Sequence, residues 1–166
     1  MFYTVASSLR QLRKQVETIR TLARLPEPRL FAATNVSGWT PSEHLNHLIR
    51  VAKSVTDLAI APDTPALTNG INGVGRVILA VGRIPRGRAA APDRFRAERA
   101  ITTALLDALA RLEETVARIS PDDVARRRIP TVKHPRFGGL TPPQALRFVA
   151  IHNDHHLRII ADILRA

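Results

Sequence analysis

Histidine carries the chemistry legible in this 166-residue sequence. Five of its six histidines fall in two short clusters, His44 with His47 and His152 with His155 and His156, and His134 stands ahead of the second. His152 and His156 are four residues apart, a spacing that sets two side chains one turn apart on the same face of a helix. At about 100° per residue that face also carries Ala145, Val149, Ile159, Ile160 and Ile163, so both imidazoles fall in the middle of an apolar stripe. Buried polar groups need partners, and a core offers few. Two ring nitrogens that converge on one point suit chelation of a metal ion. The competing reading is a pair of core histidines bonded to neighbours or water. A third donor is available from the first cluster. Periodicity puts His44 nearer the face of Leu48 and Val55 and His47 at its edge, and it does not choose between them.

The chain has no cysteine. Disulfides, thiolate nucleophiles, iron–sulfur clusters and Cys-based zinc sites are therefore excluded, and a metal would need histidine and oxygen ligands. Glu43, Asp154 and His155 stand close enough in sequence to assist such a centre. Each has a plainer role: Glu43 in a helix cap, Asp154 facing solvent, His155 packing on the flank. His134, just before the last helix, either reaches the mouth of the site or stabilises its own loop.

These residues need helices to position them. Residues 3–25 carry Leu9, Leu12, Val16, Ile19, Leu22 and Leu25 at three- and four-residue steps, the mark of an amphipathic helix, and Pro26 and Pro28 stop it. Thr40-Pro41-Ser42-Glu43 is a capping box with proline at the first helical position, and it opens a helix that holds His44 and His47. That helix runs to about residue 60, before Pro62 and Pro65. Residues 66–92 form a Gly- and Arg-rich connection in which residues 77–81 supply one or two helical turns. Its glycines lack the Lys-Ser/Thr and the preceding strand of a phosphate loop. A long helix over residues 93–119 is expected, with Ile101, Leu105, Ala108, Leu112, Val116 and Ile119 on one face. A short turn follows from Ser120 to Pro130. Thr141-Pro142-Pro143-Gln144 is a second capping box, opening a helix that runs to residue 165. No stretch alternates as a strand would. The expected fold is an all-α four-helix bundle in one domain spanning residues 1–166.

Residues 38–48, Gly-Trp-Thr-Pro-Ser-Glu-His-Leu-Asn-His-Leu, resemble the Gly-Trp-Ser/Thr…His-Leu segment of the DinB-like superfamily, which includes YfiT-like metal-dependent hydrolases. His152-Asn153-Asp154-His155-His156 resembles its His-x-x-His-His signature. Residues 134–141 are similar to the His-Pro-x-Phe-Gly segment of one branch. The resemblance as a whole covers most of the chain, from Trp39 to Ile160. The resemblance implies a four-helix bundle, frequent dimers, and a divalent metal such as zinc, nickel or iron. It implies His47, His152 and His156 as the ligands, because His47 stands eight residues after Trp39. His44 and His155 then lie behind the ligands or at the surface. Some members use a low-molecular-weight thiol as co-substrate.

The expectation for function is thus a metal-dependent enzyme that transfers a low-molecular-weight thiol or hydrolyses a small substrate. Three neutral imidazoles leave a metal with open positions, and no serine or cysteine nucleophile stands out. The alternatives are a structural or sensor metal protein and a basic module for nucleic acid or an acidic partner. The net charge of +11 bears on the last of these. Yet 22 of the 25 basic residues are arginines scattered along the chain, as on solvated helix faces, so nucleic acid is not the expected partner. Arg83, Arg86, Arg88, Arg94, Arg96 and Arg99 would form such a surface if one existed. Aromatic residues make up 4%, too few for a base-stacking platform. No apolar run nears the roughly 18–20 residues of a membrane span and no secretory leader is evident, so a cytoplasmic location is expected.

Overall fold

Three threonines start three of the four long helices. In the computed structural model, which describes residues 3–33, 35–87 and 98–166, Thr4, Thr40 and Thr141 each accept a hydrogen bond from the backbone N–H three residues on, and the side chain there bonds back. They open α1 (Val5–Ala23), α3 (Pro41–Ile60) and α7 (Pro142–Ile163). The two capping boxes expected from sequence are both present, with Glu43 Oε2 accepting from Thr40 N at 2.7 Å and Gln144 Oε1 from Thr141 N at 3.0 Å. The fourth long helix is α5 (Thr102–Ala117), and two short ones are α2 (Glu27–Leu30) and α6 (Pro121–Arg126).

α7 packs on α3 and α1, and α5 packs on the same two, so the four long helices close a ring around one core. Leu9, Leu12 and Ile19 of α1, Leu45 and Leu48 of α3, Leu105, Leu109 and Leu112 of α5, and Val149 and Ile160 of α7 fill it. The all-α bundle is the fold that the periodicities demand.

The helix expected over residues 93–119 begins only at Thr102; of the remainder, 93–97 lie outside the described residues and 98–101 are not helical. The cause is tertiary. Ser42 Oγ donates to Ala100 O at 2.6 Å and accepts from Ala100 N at 2.8 Å, which takes both backbone groups away from a helical ladder. Ile101 is the extended N-cap, and at 56% exposure it is not on the core face.

The connection after α3 is more ordered than its glycines suggest. Asn72 caps α4 (Gly73–Val81) through Gly75 N, and Gly82, at φ +73°, ends it. Between α6 and α7 lie two three-residue strands, β1 (Val132–His134) and β2 (Gly138–Leu140), paired antiparallel with His134 opposite Gly138. Three residues are too few for alternation to announce a strand. The hairpin holds the connection: Leu67 N donates to Pro130 O at 2.8 Å, Asn72 N to Phe137 O at 2.8 Å, and Gly139 N to Gly70 O at 3.3 Å. The approach is so close that a Cβ on Gly139 would sit 2.2 Å from Asn69 O. Among the described residues, no helix is long and apolar enough to cross a membrane.

Candidate metal centre

α3 and α7 are direct neighbours, and their contact brings the two histidine clusters together. His47, His152 and His156 each offer a ring nitrogen, and these nitrogens lie within 4.8 Å of one another. The ring centroids are 5.1 Å apart for His47 and His152, 4.7 Å for His47 and His156, and 4.6 Å for His152 and His156. His47 Nε2 and His152 Nε2 are 3.2 Å apart. Two nitrogens bound tetrahedrally to one zinc ion at 2.0–2.1 Å would stand about 3.3 Å apart. The donor set therefore fits a divalent ion such as zinc.

All three rings are buried, at 4%, 9% and 8% exposure respectively. Burial pushes the His152 and His156 pKa values well below 6.5, and the neighbouring histidines push the same way. Neutral imidazole is the form that binds a metal, because it keeps a bare lone pair on one nitrogen. His152 Nδ1 is buried with no hydrogen-bond partner among the described residues. On its other side the His152 ring meets Phe148, 5.5 Å away, which in turn packs edge-on against His134 at 4.6 Å.

His44 is also buried, at 2% exposure, and its Nδ1 lies 2.9 Å from His156 Nδ1. Its Nε2 lies 2.9 Å from Ser37 Oγ, which also accepts from Trp39 N at 3.2 Å. Burial first, and the nearby His47 and His155 next, lower the His44 pKa to about 4. Trp39 covers this corner, with ring centroids 5.0 Å from His47 and 5.2 Å from His44. The i,i+3 spacing of His44 and His47 is visible in sequence, but nothing there marks Ser37.

The other candidates lie elsewhere. Glu43 is consumed by its cap, accepting from both Thr40 N and Thr40 Oγ1. Asp154 faces solvent only in part; it turns to α1 and accepts from Gln11 Nε2 at 2.7 Å and Gln15 Nε2 at 2.6 Å. Arg147, which a wheel of α7 alone would put at the surface, is buried with its guanidinium over the Tyr3 ring. His134 stabilises its own hairpin: its Nδ1 accepts from Arg136 N and Phe137 N. His155 donates from Nδ1 to Ile84 O at 3.1 Å, and its ring is 5.1 Å from that of His156. It lines a cleft of about 500 Å³ walled by Val77, Ile78, Val81 and Ile84, with Arg83, Arg86 and Arg158 around it.

Of the six arginines named for a basic surface, Arg83 and Arg86 lie together at the cleft beside His155. Arg86 pairs with Asp162, and Arg99 lies over the Phe31 ring. Arg88, Arg94 and Arg96 lie outside the described residues. Comparison with known families matches residues 9–160 to the DinB superfamily. No curated protein and no solved structure matches the chain.

Proposed function

The chain belongs to the DinB superfamily, and we propose that it is a metal-dependent enzyme in which His47, His152 and His156 hold one divalent ion beside a small-molecule substrate. The reaction is transfer of a low-molecular-weight thiol or hydrolysis of a small ester or amide. The observation that carries this reading is the convergence of three buried imidazoles from α3 and α7. Zinc, nickel and iron all accept imidazole ligands. When bound, the ion keeps its full +2 charge and supplies Lewis acidity that lowers the pKa of a thiol or water at an open position.

The chain's own residues supply the rest. His152 and His156, one turn apart on α7, would hold the ion together with His47 of α3. Trp39 and Phe148 line the imidazoles with apolar surface that keeps bulk water off them. The cleft beside His155 offers an apolar wall and the guanidinium groups of Arg83 and Arg158, which suits a substrate with an acidic group. A single domain over residues 1–166 and a homodimer belong to the same reading; light scattering of the purified protein reads the oligomeric state.

The test is metal-reconstituted protein assayed with small thiols plus electrophiles, and separately with esters and amides. Turnover that disappears in His47→Ala, His152→Ala and His156→Ala, alongside loss of bound metal, supports the reading. Stoichiometric metal with no exchangeable position for thiol or water would leave a structural metal protein instead.

A further inference from the structure

Resting on that metal reading, we infer that Ser37 and His44 form a positioning relay that fixes the ring and the proton of His156. Three groups stand in line, with 2.9 Å from Ser37 Oγ to His44 Nε2 and 2.9 Å from His44 Nδ1 to His156 Nδ1. Each of these nitrogens is therefore committed, and the nitrogen of His156 left for an ion is Nε2.

The proton positions follow from that. A neutral imidazole carries one N–H, so a His156 ring whose Nε2 lone pair goes to an ion must hold its proton on Nδ1. That N–H donates to His44 Nδ1, which must then be bare. His44 accordingly carries its proton on Nε2 and donates to Ser37 Oγ. The serine oxygen has two lone pairs, and Trp39 N–H takes the other. The opposite direction, from Ser37 hydroxyl through His44 to His156, puts the proton on His156 Nε2 and closes that nitrogen to an ion. Ion binding thus selects one proton arrangement along the whole chain. Among the described residues His152 has no such relay, since no hydrogen-bond partner stands at its Nδ1 there. Hydrogen bonds behind metal-bound histidines typically contribute 10–100-fold in metal affinity, and here the contribution falls on His156.

The experiment is zinc binding by competition with a chromophoric chelator, together with imidazole ¹⁵N spectra of histidine-labelled protein. His44→Ala should weaken zinc binding by about 10–100-fold and leave it measurable. His44→Asn, whose Oδ1 can still accept from His156 Nδ1–H, should recover part of that loss and keeps a polar side chain at this buried position. In zinc-loaded wild type His44 should be the Nε2–H tautomer. His44→Ala matching His156→Ala would make His44 a ligand and overturn the relay. So would wild-type affinity in both His44 variants, or an Nδ1–H tautomer of His44 in the zinc-loaded protein. His47→Ala and His152→Ala leave the relay intact. If neither weakens zinc binding, the metal centre itself falls and the relay with it; if both do while the His44 results fail, only the relay falls.

Discussion

The Trp39 and His156 rings are parallel to within 7°, with centroids 6.0 Å apart. Trp39 directly precedes Thr40, the cap of α3, whereas His156 lies in the second half of α7. The relationship therefore reports how α3 docks on α7, the same contact that brings His47 to His152. Trp39 is the only tryptophan in the chain, so its emission is a private probe of the centre.

Titration with nickel should quench Trp39 fluorescence and saturate at one equivalent. In His152→Ala the quenching should be weak and unsaturated, because two of three donors remain. Equal quenching in the two proteins would mean that nickel binds elsewhere.

Metal should also stabilise the fold, since the site exists only when α3 and α7 are docked. At a free ion concentration 100 times the dissociation constant, linkage contributes about 2.7 kcal/mol, or about 5–11 °C in Tm for a chain of this size. A thermal scan with zinc and with a chelator measures it. A Tm that ignores both would show that no folded-state metal site is present.

Ser42 tests what ends the connection ahead of α5. Its hydroxyl satisfies both Ala100 N and Ala100 O, and the side chain is fully buried. Ser42→Ala should cost about 1–3 kcal/mol in urea unfolding, the penalty for leaving buried backbone groups unpaired. It should leave zinc binding intact.

Gly139 tests the clamp between the hairpin and the connection. A methyl group there would stand 2.2 Å from Asn69 O and 3.1 Å from Pro130 Cβ, so backbone must move. Gly139→Ala should destabilise by about 3 kcal/mol or more. Hydrogen exchange should show the loss concentrated in residues 67–72 and 132–140, because these segments share the strained contact.

Much of this was readable in advance, for reasons that differ by element. Thr40 and Thr141 announce their helices because a capping box is local: four consecutive residues contain both bonds. His152 and His156 announce a site because i,i+4 spacing fixes their mutual position without tertiary information. Ser37 does not, because its bond to His44 depends on a loop conformation that no periodicity encodes. Ile101 misleads for the same reason; its apolar side chain continues the α5 stripe, but Ser42, 59 residues away, holds the backbone out of the helix. Asp154 and Arg147 look like solvent-facing positions on a wheel of α7 alone. Their partners, Gln11 and Gln15 for one and Tyr3 for the other, come from α1 and the residues before it.

His134 gives the fold a pH dependence whose sign can be worked out. Its Nδ1 accepts from both Arg136 N and Phe137 N, and its ring stacks on Phe137 at 4.1 Å. A proton on Nδ1 would abolish both bonds. Burial, with the Arg136 charge second, lowers its pKa from 6.5 to about 4. Between these values the unfolded chain binds the proton and the folded one does not. His134 therefore contributes fully above pH 6.5, and its contribution is lost as pH falls toward 4. With the ring partly exposed, the loss is about 1–2 kcal/mol. His134→Asn keeps an acceptor oxygen near the same place and cannot titrate in this range. Urea unfolding of metal-free protein from pH 7.5 to 4 should show wild type falling more steeply than His134→Asn by that amount, with the difference confined to the interval below 6.5. Parallel profiles would mean that His134 titrates normally and that its two backbone bonds do not hold the hairpin.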